Sequence, residues 1–278
     1  MFISRNICTM SCLVGILLVL FFQNVQAQPK VSKKPLVMGF FPLYSTLELV
    51  KRYGPLKDYL EERLGRSIKF ETAKDFPTFV KRTSERRYDF GVTAPHFALR
   101  ATDEGNYQII ATYKNSGQQL ILVHKNNQWK SMSELRGKRV GTPSPKALMT
   151  RMGKQRIIGA GITGADTPTY IPFTSHNAAV EAIQTGEVDA VITSTNVLKK
   201  MLSQGKSVKV FDRGIVYPNM PFMIATDLPS SLQISIQEAL LALSDSNSGK
   251  SLLQHIGATG YRITNAAEYE ILRPYVPK

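Results

Sequence analysis

Cysteine is nearly missing from this chain of 278 residues: there are two, Cys8 and Cys12, both within the first dozen positions. Beyond them the chain has no thiol, which excludes disulfide staples, cysteine metal sites and thiol nucleophiles. Histidine occurs four times and never beside another histidine or a carboxylate at metal spacing, so no metal site is expected. A membrane-spanning helix needs about 20 apolar residues; the longest run here, Cys12 to Phe22 with Gly15 inside it, is too short. Gly-x-Ser-x-Gly, a glycine loop ending in Lys-Ser/Thr and His-Glu-x-x-His are all missing, so neither an enzyme nor a cofactor is expected. Lysine and arginine are scattered, with no basic stripe interleaved with aromatics, which argues against nucleic acid as a partner.

What remains is an ordinary globular composition, 43% apolar and 20% charged, with a mean hydropathy of -0.13. Lys and Arg number 35 against 21 Asp and Glu, and a formal charge of +14 draws anions toward the protein. Arg5 is the only charge in residues 1–27, the apolar run follows it, and Val25-Gln26-Ala27 is a small-x-small cleavage site. This is the pattern of a secretory signal peptide cut after Ala27. The residue after the cut is Gln28 and not Cys, which speaks against a lipid anchor, so a soluble periplasmic protein is expected.

From Leu36 onward short apolar runs alternate with helical patterns. Strands are expected at 36–41, 68–72, 88–92, 107–113 and 120–124, then at 138–141, 169–172, 188–193, 208–211 and 222–225. Helices are expected from Ser45 or Thr46 to Tyr53, from Pro55 to Gly65, after Asp75, and after Pro95; then over 146–159, 175–184 and 195–202, with three more after residue 230. Such alternation means βαβ units and an α/β fold. Arg87-Tyr88-Asp89-Phe90-Gly91-Val92-Thr93-Ala94 and Glu187-Val188-Asp189-Ala190-Val191-Ile192-Thr193-Ser194 repeat the same order of helix, acidic turn, strand and threonine 100 residues apart. Each half is therefore expected to hold its own small parallel sheet, with Asp89 and Asp189 as turn acceptors at strand starts. Ligands sit beyond the carboxyl ends of such strands, where helix starts present free N–H groups. Two such edges facing each other make a cleft suited to a small anion.

Several segments carry a family resemblance. They are Leu36 to Gly39 with Tyr53-Gly54-Pro55-Leu56-Lys57-Asp58-Tyr59-Leu60, Ala73-Lys74-Asp75-Phe76, the strand with Asp89, Met132 to Gly141, and Ser175-His176-Asn177-Ala178-Ala179-Val180 with Gly186 to Ala190. In this order, over residues 36–275, the chain resembles the phosphate/phosphite/phosphonate-binding periplasmic proteins of ABC transporters. The resemblance implies a type II periplasmic binding-protein fold: residues 28–118 and 219–278 form one lobe, 119–218 the other, and crossovers lie near 118–122 and 213–222.

It also implies contacts. Phe76 stands where the family often has a ligand-facing tyrosine, Thr93 at a contacting strand end beside Ala94, His176 at a helix start as an oxyanion donor, and Thr193-Ser194-Thr195 in a contacting turn. After Gly141 the family's Ser-Thr-Ser-Gly run is replaced by Thr142-Pro143-Ser144-Pro145-Lys146-Ala147-Leu148. Two prolines remove N–H donors, and Ser144 and Lys146 are the residues able to compensate, Lys146 with a full charge. Tyr44, Ser45 and Thr46 follow the first strand and either face the cleft or merely cap a helix. His96 either faces the cleft or lies at the surface. The expected activity is capture of a small oxyanion or another small polar solute by a monomer. Its partner is an inner-membrane permease or, alternatively, a sensor receptor of the kinase type.

Overall fold

The computed structural model describes residues 34–276; the expected signal peptide and its cleavage site lie outside the described residues. Among these, residues 35–276 form one compact unit with two sheets. The first sheet contains β1 (Leu36–Phe40), β2 (Ile68–Glu71), β3 (Phe90–Val92), β4 (Tyr107–Tyr113), β10 (Pro221–Ala225) and β11 (Tyr261–Ile263). Its order is β11-β4-β10-β3-β1-β2. The second contains β5 (Gly117–His124), β6 (Arg139–Thr142), β7 (Thr169–Pro172), β8 (Ala190–Ser194) and β9 (Val208–Tyr217), ordered β7-β6-β8-β5-β9.

The two sheets share one plan. In each, three parallel strands (β2-β1-β3 and β7-β6-β8) are followed by a strand running the other way, β10 beside β3 and β5 beside β8. The sheets are therefore mixed, not the small parallel sheets expected. The reason is the connectivity: the chain leaves the first sheet from β4 into β5 and returns from β9 into β10, so each sheet receives an antiparallel strand from a crossover.

The 100-residue repeat is a repeat of contacts. Asp89 Oδ2 accepts from Val37 N–H at 2.7 Å, and Asp189 Oδ2 accepts from Arg139 N–H at 2.8 Å. In both halves the Asp amide returns the bond to the carbonyl of the same partner. Three residues before each aspartate the chain takes a left-handed turn, at Gly186 (φ 71) in one half and at Arg86 (φ 58) in the other. Arg86 holds its costlier turn by bonding Tyr88 O and ion-pairing with Asp89 and Asp227.

The helices connecting the parallel strands are α1 (Thr46–Leu64), α2 (Phe76–Ser84) and α3 (Pro95–Asp103) in the first half. Their counterparts in the second are α4 (Leu148–Gly159), α5 (His176–Gln184) and α6 (Thr195–Ser203), and α7 (Ser230–Ala242) and α8 (Asn247–Ile256) complete the first half's cover. Pro55 does not divide α1, contrary to expectation. Proline removes the N–H that would bond the carbonyl four residues earlier, that of Lys51, and His255 of α8 donates its Nε2 to that carbonyl at 2.8 Å instead. Leu49, Tyr53, Leu56 and Leu60 keep one face of the helix buried across the proline.

One further difference lies at the C-terminus, where β11 was not expected; the last of the expected helices is there, as a 3-10 helix over Ala266–Tyr275. In that segment Tyr269 and Leu272 are buried among Ala98 and Leu99 of α3 and Met149 and Met152 of α4. Trp129 is half-buried against Phe211 in the same cluster.

Candidate functional site

Six helices start at the carboxyl ends of the six parallel strands, and a helix start leaves N–H groups without intrahelical partners. The six divide into two kinds. Three supply their own acceptor: Ser45 Oγ from Glu48 N–H at 3.3 Å for α1, Asp75 Oδ1 from Thr78 N–H at 2.8 Å for α2, and Ser175 Oγ from Ala178 N–H at 3.1 Å for α5. The other three, α3, α4 and α6, have Ala94, Ala147 and Ser194 at the cap and no side-chain cap bond. Alanine has no acceptor to offer. Open starts combine free donors with the positive end of the helix dipole and favour an anion. They belong to β3, β6 and β8, and β6 and β8 are neighbours at the point where the second sheet's strand order reverses.

Each open helix also carries, in its first turn, a polar side chain with a buried atom that bonds nothing in the protein. In α3 it is His96, 1% exposed, with neither ring nitrogen partnered. In α4 it is Arg151, whose Nε is buried, and in α6 it is the hydroxyl of Thr195. A fourth orphan, the amide nitrogen of Gln119, lies on β5 directly across from Ser194. No orphan of this kind occurs in the first turn of α1, α2 or α5 among the described residues.

Buried polar atoms are nearly always paired, so these four, one beyond the carboxyl end of β3 in the first sheet and three at the ends of β6, β8 and β5 in the second, mark places built for something else to bond. Burial, and then the charge of Arg151, push the His96 pKa down to about 3, so the ring is neutral and the two helix starts are close enough to interact. Arg151 has no carboxylate within ion-pair distance among the described residues.

The expected site residues are distributed over both kinds of helix start. Tyr44 is exposed with the Arg52 guanidinium over its ring at 4.7 Å, Ser45 is the α1 cap, and Thr46 is exposed in the first turn. Phe76 packs on Phe41 at 4.4 Å between ring centroids. Thr93 and Ala94 are buried, with Thr93 N–H donating to Pro221 O. Ser144 Oγ accepts from Lys146 N–H at 3.4 Å; Lys146 is exposed, and the Asp75 carboxyl is held below its usual range chiefly by the hydrogen bonds from Thr78, with Lys74 and Lys146 adding to them.

His176 is half-buried and bonds Thr193 Oγ1 through Nδ1 at 3.1 Å. Burial lowers its pKa to about 4, and the cap of α5 is its neighbour Ser175. Ser194 caps α6 without a side-chain bond, beside the orphaned Thr195. His96 is buried, not at the surface. Sequence reasoning missed Arg151 and Gln119. A readable signal existed for Arg151: a cation in the first turn of a helix opposes the dipole unless an anion joins it.

A groove of about 810 Å³ on the β2 edge, lined by Lys69, Glu71, Lys74 and Arg87 among others, is a different case. Its one central carboxylate is already bridged, Glu71 by Lys69 and Arg87, each at 2.8 Å. No group of three or more metal-ligating side chains occurs among the described residues.

Residues 38–269 match the family described as the periplasmic substrate-binding protein of phosphonate ABC transporters. The chain belongs to that family. Solved structures agree with it in fold. One is PhnD1 from Prochlorococcus marinus in complex with methylphosphonate, at a TM-score of 0.76 and 17% identity over 87% of this chain and 97% of that one. Another is a protein of Xanthomonas citri bound to chloride, at 0.76 and 15% over 88% and 98%. A third is a binding-protein component of a phosphonate ABC transporter from Pseudomonas aeruginosa, at 0.69 and 14% over 87% and 85%. The type II periplasmic binding-protein fold is thus established for this binding protein. Its family works outside the inner membrane, with a small ligand and a membrane permease as partners.

Proposed function

We propose that this chain captures a phosphonate, phosphite or phosphate-like oxyanion between two lobes, residues 28–118 with 219–278 and residues 119–218. The monomer, released from its signal peptide at Ala27, then hands the anion to a permease without chemical turnover. The observation that carries this reading is the coincidence of three open helix starts, one on the first sheet and two on the second, with orphaned His96, Arg151, Thr195 and Gln119. Ser144, Lys146 and the hydroxyls of Thr193 to Thr195 stand at the same strand ends as further donors, and His176 reaches them from the self-capped start of α5 through its bond to Thr193, while Tyr44, Ser45, Thr46 and Phe76 stand at the self-capped starts of α1 and α2.

Contacts from both lobes to one ligand stabilise the closed arrangement over the open one, and the permease reads that difference. A thermal-shift panel tests the reading. At a hundredfold excess over Kd a ligand adds about 2.7 kcal/mol, which for a chain of this size raises Tm by roughly 5 to 10 °C. Methylphosphonate, phosphite or phosphate should give that shift; a panel in which only carboxylates or no anion does so contradicts it.

A further inference from the structure

One apolar cluster joins the two halves of the molecule. Ala98 and Leu99 of α3 and Ile109 of β4 pack in it with Met149 and Met152 of α4 and Tyr217 of β9, and Tyr269 and Leu272 of the C-terminal 3-10 helix belong to the same cluster, both fully buried. The chain passes between the sheets twice, after β4 and before β10. The C-terminal helix touches α3 on one side and α4 and β9 on the other without being a crossover. It is fastened at one residue, Asn219 of the second crossover. The Asn219 carbonyl accepts from Tyr269 O–H at 2.9 Å and from Thr112 Oγ1 of β4 at 3.1 Å. Its side chain, in a residue only 7% exposed, donates from Nδ2 to Asn115 O of the first crossover at 3.2 Å and accepts from Met220 N–H at 2.8 Å.

A carbonyl offers two lone pairs and a side-chain amide both donates and accepts, so this one asparagine binds both crossovers, β4 and the C-terminal helix together. Beside it Tyr217 lies so close to Gly117 that a Cβ there would sit 2.5 Å from the ring, and its hydroxyl donates to Met149 Sδ at 3.6 Å. The far end of the C-terminal helix is held to the last residue of α3 by the Arg273–Asp103 pair. Resting on the two-lobe capture reading above, we propose that Asn219 and Tyr269 are positioning residues for capture: they bolt the C-terminal helix to both crossovers as a third tie between the lobes. The tie limits how far α4 can part from α3, and with it the spacing of their open starts, which lie on different sheets. Both residues act through those helices and not on the ligand. A site whose spacing is set beforehand spares the ligand that ordering cost; loosening the tie lowers the binding-competent fraction and raises the apparent Kd in proportion.

The test reads the distance between the lobes directly. Spin labels at Lys81→Cys on α2 and Lys199→Cys on α6, both exposed, are placed in the full chain with Cys8→Ser and Cys12→Ser, so that no other thiol is labelled. Pulsed dipolar spectroscopy of the ligand-free protein gives the distance distribution, and calorimetric titration with methylphosphonate gives Kd. Tyr269→Phe, which keeps the ring and loses the bond to Asn219, should widen the distribution and raise Kd roughly 3- to 10-fold, the worth of one net hydrogen bond. Asn219→Ala should do the same through the lost bond to Asn115. Tyr59→Phe is the matched control: it removes a hydroxyl bond of the same 2.9 Å, to Ala239 O inside the first half alone, and should change neither reading. Arg273→Gln breaks an exposed ion pair that adds little stability, so it folds even where Asn219→Ala does not, and it should widen the distribution more mildly. A melting curve of each variant checks that it folds.

Ligand-free distributions in Tyr269→Phe and Arg273→Gln no wider than in Tyr59→Phe would overturn the proposal and leave the oxyanion function standing. Wider distributions with an unchanged Kd would overturn the positioning role. No heat with methylphosphonate, phosphite or phosphate in the unsubstituted chain would overturn the capture reading, while the ligand-free distances would still decide whether the C-terminal helix ties the lobes.

Discussion

The two edges of each sheet are treated in opposite ways. At the edge where β3 and β8 begin, Asp89 and Asp189 bind the neighbouring strand through side chain and backbone alike, and arginines close over them. At the edge where the same strands end, helices start with no cap, and buried nitrogens and hydroxyls bond nothing. At Asp89 and Asp189 one edge closes on its own side chains, and the other awaits a partner. The difference separates stability from function: changes at the first should lower Tm and spare binding, and changes at the second should do the reverse.

The largest effect is expected between the edges, at the crossing of β1 and β3. A Cβ on Gly91 would lie 1.9 Å from the carbonyl oxygen of Gly39, backbone that cannot step aside within a paired sheet. Gly91→Ala should cost more than about 3 kcal/mol and be read as a collapse of the melting transition. The corresponding pair of the second sheet is looser: a Cβ on Gly141 meets the Val191 side chain at 2.9 Å, so Gly141→Ala should be milder.

Next is pH. His96 and His176 have folded pKa values of about 3 and about 4, below the ordinary 6.5. Both favour the neutral form in the folded state, so their contribution is complete above pH 6.5 and is lost as pH falls toward those values. The slope for a fully developed histidine is about 1.4 kcal/mol per pH unit. His96, fully buried, should carry most of it, and half-buried His176 less. Denaturation at stepped pH should show His96→Phe flattening the decline below pH 6.5; an unchanged slope would mean that the buried ring does not resist protonation.

Asp89→Asn should cost about 1 to 3 kcal/mol through weakened bonds to Val37 N–H and Arg86, with oxyanion affinity unaltered. The smallest effect sharpens the contrast most. Ala147→Asp would give α4 the cap it lacks, adding about 1 kcal/mol to the ligand-free protein and weakening anion binding by placing a carboxylate at the open start. Ser175→Ala, at a start that is already capped, should lose about 1 kcal/mol with binding unaffected.

Much of this plan was legible in the sequence because it rests on local chemistry. The aspartates at 89 and 189 announced the repeat, and Ser45 and Asp75 announced the caps they form. The mixed character of the sheets was not legible, since β5 and β10 join by crossover and no local pattern tells which neighbour a strand will meet. Pro55 misled for a related reason: the donor that replaces its missing N–H is His255, two hundred residues away. At the candidate site the strand ends were foreseen. Which of them stays open was not, because an open start is marked by what Ala94 and Ala147 do not offer. Arg151 and Gln119 become conspicuous only once folding removes every carboxylate and carbonyl that might have met them.

The central claim is one of place, and a crystal structure of the chain grown with methylphosphonate tests it most directly. The account predicts the phosphorus oxygens within hydrogen-bond distance of the first amides of α4 and α6, with Arg151, His96 and Thr195 around them. An anion seated instead at the starts of α1, α2 or α5, or away from the strand ends altogether, would contradict it.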